Sequence, residues 1–246
     1  MELTVLGASG SYPTADDCCS GFLVRHEGYT VWMDAGGGTM SALQRHVSLD
    51  EVDAIVLSHR HLDHAADIHM WLHASYAIEL KVVPVLAPEG VADSLASVAA
   101  SSREAFFTTM DWQMFTPGDV TELGPLRFEA FEADHGAPSI AFRISVGGKV
   151  LCYSGDSAPT PTLVDAARDA DLFVCEGTWL ESQIGVMDRV HSTCREAGEM
   201  GRAAAVARLA LTHLWPGNDF ETSRAQAAET FGNHVELARE LGTVTI

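Results

Sequence analysis

Short apolar runs, each closed by a turn-forming cluster, dominate the first half of the chain. They predict strands over residues 3–6, 22–25 and 29–33, the last two joined as a hairpin through Glu27 and Gly28. The run Ala54-Ile55-Val56-Leu57 is unbroken, short and β-branched, as a buried strand requires. Helical patterns are read over 40–46, 64–79 and 88–101, with further strands over 82–86, 126–133 and 140–146. From residue 149 strands and helices alternate more plainly. Strands are expected at 150–153, 172–175 and 209–212, helices at 161–168, 195–207 and 222–231, and short strands near 235–239 and 243–246. No linker, low-complexity tract or short repeat interrupts this order. The pattern therefore predicts two packed sheets with helices outside them, in one domain covering residues 1–246.

Composition narrows the partners. The 246 residues are 47% hydrophobic, enough for a sizeable core. Lys and Arg number 15 against 34 Asp and Glu, a formal net charge of −19, which disfavours long nucleic acids and anionic membranes. A small phosphorylated substrate stays compatible, because bound divalent metals reverse the field locally. The stretch from Met1 to Gly7 enters a strand directly, and no apolar run of about 18 residues exists to span a bilayer. With five cysteines and no CxxC pair, a reducing cytoplasm is expected. Cys152 and Cys175 read as core thiols, and the adjacent Cys18 and Cys19 as loop thiols without a role.

The chemistry concentrates where the strand over 54–57 meets the next helix. Ser58-His59-Arg60-His61-Leu62-Asp63-His64 places three histidines and an aspartate within six positions, donors suited to Zn²⁺, Fe²⁺ or Mn²⁺. Extended backbone sends His59 and His61 to one side, while Asp63 and His64, at the helix start, face another point. That arrangement suits two neighbouring ions. Further donors stand at predicted strand ends: His135, Asp156 and His213. Strand ends of layered folds converge on one edge. A consistent assignment gives one metal to His59, His61 and His135 and the other to Asp63, His64 and His213, with Asp156 supplying one oxygen to each. Two ions about 3.5–4 Å apart would hold a bridging hydroxide and polarise the oxygen of the group under attack.

The His-x-His-x-Asp-His turn, with His135, Asp156 and His213 later in the chain, resembles the metallo-β-lactamase superfamily over essentially the whole sequence. The resemblance implies an α+β fold, the αββα four-layer sandwich, and a metal-supporting role for Asp34, as a hydrogen-bond acceptor behind the ligands. Glu176-Gly177-Thr178 and His191-Ser192-Thr193, before a final Leu-Thr-His, are similar to the glutamate and histidine loops of the ribonuclease Z-like phosphodiesterase branch. By that resemblance His191 protonates the leaving oxygen, Glu176 orients it, and Ser192 and Thr193 contact substrate. An imidazole held by a carboxylate suits that task. Asp63 counts as catalytic as well as ligating.

Three features of tRNA-maturing members are missing. No protruding arm separates His135 from Asp156. Pro13-Thr14-Ala15-Asp16-Asp17 stands where a basic loop is usual, and Leu214-Trp215-Pro216-Gly217-Asn218 replaces their aromatic-basic tail. The stretches around Gly36-Gly37-Gly38, Ala42 to His46 and Tyr153 to Asp156 are closer to actinobacterial cyclic-nucleotide phosphodiesterases of the superfamily. The resemblance thus implies hydrolysis of a 3′,5′-cyclic AMP-like diester by a metal-bridging hydroxide, with two divalent ions, zinc first and manganese or iron as alternatives. Members often dimerise, so a homodimer is allowed for. The rival readings are a ribonuclease Z-like tRNA 3′-processing endonuclease and a metal-binding ligand sensor without turnover. Trp215 and Trp179 follow site positions and could stack on a base or serve the core. His69 and His73 share a helix face but lack a third ligand, and His26, His46 and His234 read as structural.

Overall fold

The computed structural model describes residues 1–99, 101–185 and 189–246. The first half supplies β1 (Glu2–Gly7), β2 (Gly21–His26), β3 (Tyr29–Ala35), β4 (Ala54–Val56), β5 (Pro84–Ala87) and β6 (Asp111–Met114). Then come β7 (Val120–Leu123), β8 (Leu126–Glu132), β9 (Ile140–Val146), β10 (Lys149–Tyr153), β11 (Leu172–Glu176), β12 (Leu209–Thr212), β13 (Glu236–Leu237) and β14 (Thr243–Thr245). Helices α1 (Thr39–Leu43), α2 (Leu62–Ala65), α3 (Ile68–Ile78), α4 (Val91–Val98) and α5 (Arg103–Thr108) belong to the first half. Helices α6 (Pro161–Ala167), α7 (Cys194–Ala203), α8 (Phe220–Phe231) and α9 (Ala238–Leu241) follow.

The described residues form two seven-stranded sheets, ordered β14-β1-β2-β3-β4-β5-β6 and β13-β12-β11-β10-β9-β8-β7. Period-two alternation explains why both faces of each sheet are covered. Phe22, Val24, Val31 and Met33 point between the sheets, where they meet Phe128, Phe142, Leu151 and Tyr153. Their neighbours Leu23 and Trp32 face the other way, onto Trp71 and Phe106 of the first helical layer. Cys152, Phe173 and Cys175 likewise face Cys194, Ala197 and Ala227 of the second. Three apolar layers separate four structural ones, the αββα sandwich. Each fully buried Phe, Leu or Val in these layers stabilises it by about 1.5–3 kcal/mol.

Topology brings the site together. β3 and β4 run parallel, as do β10, β11 and β12. β8 is antiparallel to β9, which is antiparallel to β10, so β8 runs with β10. The chain leaves β3, β4, β8, β10, β11 and β12 at the same rim, where Asp34 and Glu176 stand at the ends of their strands and the following loops carry His59, His135, Asp156 and His213.

Several boundaries differ from the sequence pattern. The helix expected over 64–79 is broken into α2 and α3, because the Asp67 N–H leaves the helical ladder to donate to the Ala35 carbonyl at 2.8 Å. Its carboxylate accepts from the Met40 N–H, also at 2.8 Å. The helix expected over 195–207 stops at Ala203, with Ala205 in the left-handed region at φ 55, so the alanine run there is not continuous helix. The strand near 235–239 shrinks to two residues before α9 begins. The helix over 88–101 narrows to α4, and Ala100 lies outside the described residues. The pattern missed α5, β6 and β7. The last two are sheet edges with mostly exposed side chains, so they carry little apolar signal.

Candidate active site

The turn after β4 delivers the first donors. His61 caps α2 in extended conformation, so Asp63 and His64 enter the first helical turn, away from His59. Among the described residues, ligand atoms of His59, His61, His135 and Asp156 all lie within 4.8 Å of one another. Those of Asp63, His64, Asp156 and His213 form a second such group. Asp156 belongs to both. His61 Nδ1 stands 3.0 Å from His59 Nε2 and 3.1 Å from His135 Nε2. Asp156 Oδ2 faces His59 Nε2 at 3.6 Å and His213 Nε2 at 3.4 Å, and its Oδ1 lies 3.2 Å from His64 Nε2. The Asp63 carboxylate meets His213 Nε2 at 3.0 Å and accepts from the Ser11 N–H at 2.9 Å.

Outer partners fix which imidazole nitrogen faces inward. His64 Nδ1 donates to Asp34 Oδ2 at 2.7 Å, His135 Nδ1 to the Val190 carbonyl at 2.8 Å, and His59 Nδ1 to Ser58 Oγ at 3.1 Å. His213 Nδ1 meets Thr178 Oγ1 at 2.8 Å. Four rings thus present Nε2 to the centre, and His61 presents Nδ1. Carboxylate and carbonyl partners of this kind orient metal-binding histidines and raise their basicity.

Two of these positions need unusual backbone. Asp34 and His213 both have φ 54, a region non-glycine residues enter seldom, at turns and helix ends or where a functional site holds the strain. At Asp34 the β2–β3 register skips a residue, since Gly21 pairs Ala35 while Phe22 pairs Met33. This bulge re-aims the carboxylate into the site. The adjoining Gly36 has a steric reason: a Cβ there would meet the Asp63 carbonyl oxygen at 2.1 Å.

The donor set fits a pair of cations. His64 Nε2 and Asp156 Oδ1 are buried with no hydrogen-bond partner among the described residues, although 3.2 Å separates them. Orphaned buried polar atoms are costly, and these two aim at common points where a cation would satisfy them. Burial, followed by the His64 charge, holds His59 well below the usual imidazole range, and burial with His135 lowers His61. Their lone pairs are free. Burial opposes ionisation of Asp156, but His213 and His64 hold it well below the carboxylate range. Burial likewise depresses His64, yet Asp156 and Asp34 outweigh it and raise the ring. A cation would displace that proton.

Beside the clusters, His191 Nδ1 lies 3.0 Å from Glu176 Oε1 and 3.9 Å from Asp156 Oδ2. Its ring stacks on His213 at 5.3 Å and stands edge-on to His135 at 5.0 Å. Burial lowers His191, but Glu176 more than offsets it, raising it to about 9. Glu176 is fully buried, and its other oxygen accepts from Thr178 Oγ1 at 2.7 Å.

Two expected substrate contacts must be corrected. Ser192 is fully buried, and its hydroxyl donates to the Ser157 carbonyl at 2.8 Å. Thr193 is the N-cap of α7, in a reciprocal capping box with Glu196. Neither hydroxyl is free for a ligand. Trp215 is half-buried at the mouth, tilted against Trp179 at 5.3 Å. His69 and His73 join no metal-binding group among the described residues. Sequence reasoning missed Ser58, Tyr153 and Thr178. Ser58 directly precedes His59, and Thr178 lies two positions after Glu176. Tyr153 is a hydroxyl-bearing residue in an inward-facing strand position.

The family described as "Beta-lactamase superfamily domain" matches residues 29–214, more than half of the chain, and the protein belongs to that family. It is 27% identical over 244 residues to the probable metallo-hydrolase YhfI of Bacillus subtilis, covering 97% of each chain. The crystal structure of that YhfI superposes with a TM-score of 0.89, at 25% identity over 99% of both chains. An uncharacterised Mycobacterium tuberculosis protein is 32% identical over 249 residues, covering 96% of this chain and 88% of its own. Ribonuclease Z of Methanopyrus kandleri is 27% identical over 268 residues, covering 94% and 93%. The protein is a metal-dependent hydrolase. Among the described residues no helix is long and apolar enough to cross a membrane.

Proposed function

We propose that the protein is a di-metal phosphodiesterase acting on a small cyclic nucleotide of the 3′,5′-cyclic AMP type. The observation that carries this reading is the His191–Glu176 pair, a buried carboxylate holding an imidazole where both ligand groups meet. His59, His61 and His135 would hold one cation, and Asp63, His64 and His213 the other, with Asp156 shared. Zinc is the first candidate for this mixture of imidazole and carboxylate, with manganese and iron sharing the donors. Such ions supply water ionised near neutrality and positive charge for the phosphoryl oxygens.

The chain's own groups do the rest. Glu176 accepts from His191 Nδ1 and stabilises the protonated ring. His191 then delivers a proton from Nε2 to the departing ribose oxygen. Asp156 ties the two halves of the centre into one rigid unit. A groove of about 780 Å³ adjoins His135 and is lined by Glu89, Glu132 and Asp134, with no Lys or Arg among the described residues along it. A trailing polyanion is repelled there, whereas a single cyclic phosphate needs no such track. A cytoplasmic setting belongs to the same reading, because all five cysteines are free thiols.

Similarity to ribonuclease Z favours a second reading, tRNA 3′-end processing. Metal-loaded protein incubated with cyclic AMP, cyclic GMP and trailer-bearing precursor tRNA separates the two. Hydrolysis of a cyclic nucleotide with intact tRNA at low salt is expected. Intact cyclic nucleotides would remove the first reading, and trimmed tRNA would install the second.

A further inference from the structure

The mouth of the site carries an aromatic corner that proton transfer and ligation leave unused. Tyr12 is 47% exposed, and its ring stands perpendicular to Trp215, at 86° with centroids 5.8 Å apart. Trp215 is backed by Trp179, whose ring lies 6.3 Å from that of His191. An aromatic line therefore runs from solvent to the proton donor. Leu62, between His61 and Asp63, adds an apolar surface that is 62% exposed.

The corner is built rigidly onto the centre. The Ser11 N–H donates to the Asp63 carboxylate, and the Gly10 N–H donates to the Leu214 carbonyl at 3.1 Å. The Ser9 hydroxyl donates to the Tyr12 carbonyl at 2.8 Å, closing the turn that presents the ring. Tyr12 thus sits one residue from a contact to Asp63, and Trp215 two residues from His213. Two loops far apart in sequence converge on one mouth. The neighbouring loop offers the exposed Asp16, while the Asp17 carboxylate is occupied by the Ala8 N–H at 3.1 Å and by Arg239 at 3.8 Å, so a second phosphate would be unwelcome there. A flat, neutral ring is favoured.

We propose that Tyr12 and Trp215 form a specificity corner that stacks the nucleobase of a mononucleotide whose phosphate lies at the ligand clusters. This rests on the phosphoester reading above, but not on turnover of a cyclic substrate. Stacking a base on a protein aromatic ring changes affinity by roughly tenfold on alanine substitution.

Calorimetric titration of the metal-loaded protein with adenosine 5′-monophosphate and with ribose 5-phosphate tests it. The nucleotide should bind roughly tenfold tighter. Tyr12→Ala and Trp215→Ala should each erode that advantage while leaving ribose 5-phosphate affinity and metal content unchanged, and Tyr12→Phe should retain it. Equal affinities in the unaltered protein, or a Tyr12→Ala loss shared by both ligands, would overturn the corner. If the base advantage is present while cyclic nucleotides stay intact, the corner stands and only the cyclic-substrate reading falls. If neither ligand binds, both readings fall.

Discussion

The hydroxyl of Tyr153, at the end of β10, donates to Asp34 Oδ2, on β3 of the other sheet, at 2.7 Å. The same carboxylate accepts from the Ser58 N–H, the Ser58 hydroxyl and His64 Nδ1. Asp34 therefore binds the first sheet's half of the centre to the second's. Burial first, and the Asp34 charge second, hold the Tyr153 phenol well above its ordinary range, so it remains a donor.

Tyr153→Phe removes one donor and leaves three. Metal affinity should fall by roughly tenfold, the lower end for outer-shell losses. Stability should fall by about 1 kcal/mol. Competition with a chromogenic chelator and thermal unfolding would check the two effects separately. Unchanged metal affinity would reduce Tyr153 to a packing role.

Thr178 bridges His213 Nδ1 and Glu176 Oε2 at 2.8 and 2.7 Å. Thr178→Val keeps the volume but strands His213 Nδ1 and leaves Glu176 Oε2 only the longer bond from the Thr178 N–H at 3.3 Å, so kcat should drop by roughly 10–100-fold. Thr178→Ser should restore most of it. Steady-state kinetics on bis(p-nitrophenyl) phosphate would show the contrast.

His191, raised to about 9 against an ordinary 6.5, is protonated at neutral pH, as a proton donor must be. Its favourable pairing with Glu176 is complete below the ordinary value and disappears as pH rises through the folded one. Bound cations shift that value downward, so the alkaline limb of kcat should fall at or below about 9. His191→Asn should flatten it and lower kcat by roughly 10²–10⁴-fold. An unaltered limb in the variant would assign the titration to another group.

Ser192→Ala deletes a buried bond to the Ser157 carbonyl, and Thr193→Ala deletes the cap of α7. Each should cost about 1 kcal/mol of stability with KM unchanged. Denaturant unfolding beside kinetics would test this, and a raised KM at normal stability would return these hydroxyls to the substrate.

Stripping the cations should lower the melting temperature. At metal concentrations near 100 times Kd, linkage supplies about 2.7 kcal/mol, roughly 5–10 °C for a chain of this size. Differential scanning calorimetry with and without chelator would measure it. No shift would mean the ligand groups hold no ion in the folded protein.

The amino-acid order by itself determined the layers, because strands buried on both faces must be continuously apolar and short, as residues 54–57 are. It also determined the donors, since His59, His61, Asp63 and His64 are crowded too closely for a polar turn. The tertiary fold alone decided what lies behind and around them. Tyr153 reaches Asp34 across 119 positions, and no local spacing encodes a contact between two sheets. The bulge that turns Asp34 inward, the burial of Ser192 and the meeting of Tyr12 with Trp215 likewise arise only when distant segments pack. Local periodicity specifies which face a residue takes, whereas its partner is chosen by how the faces close.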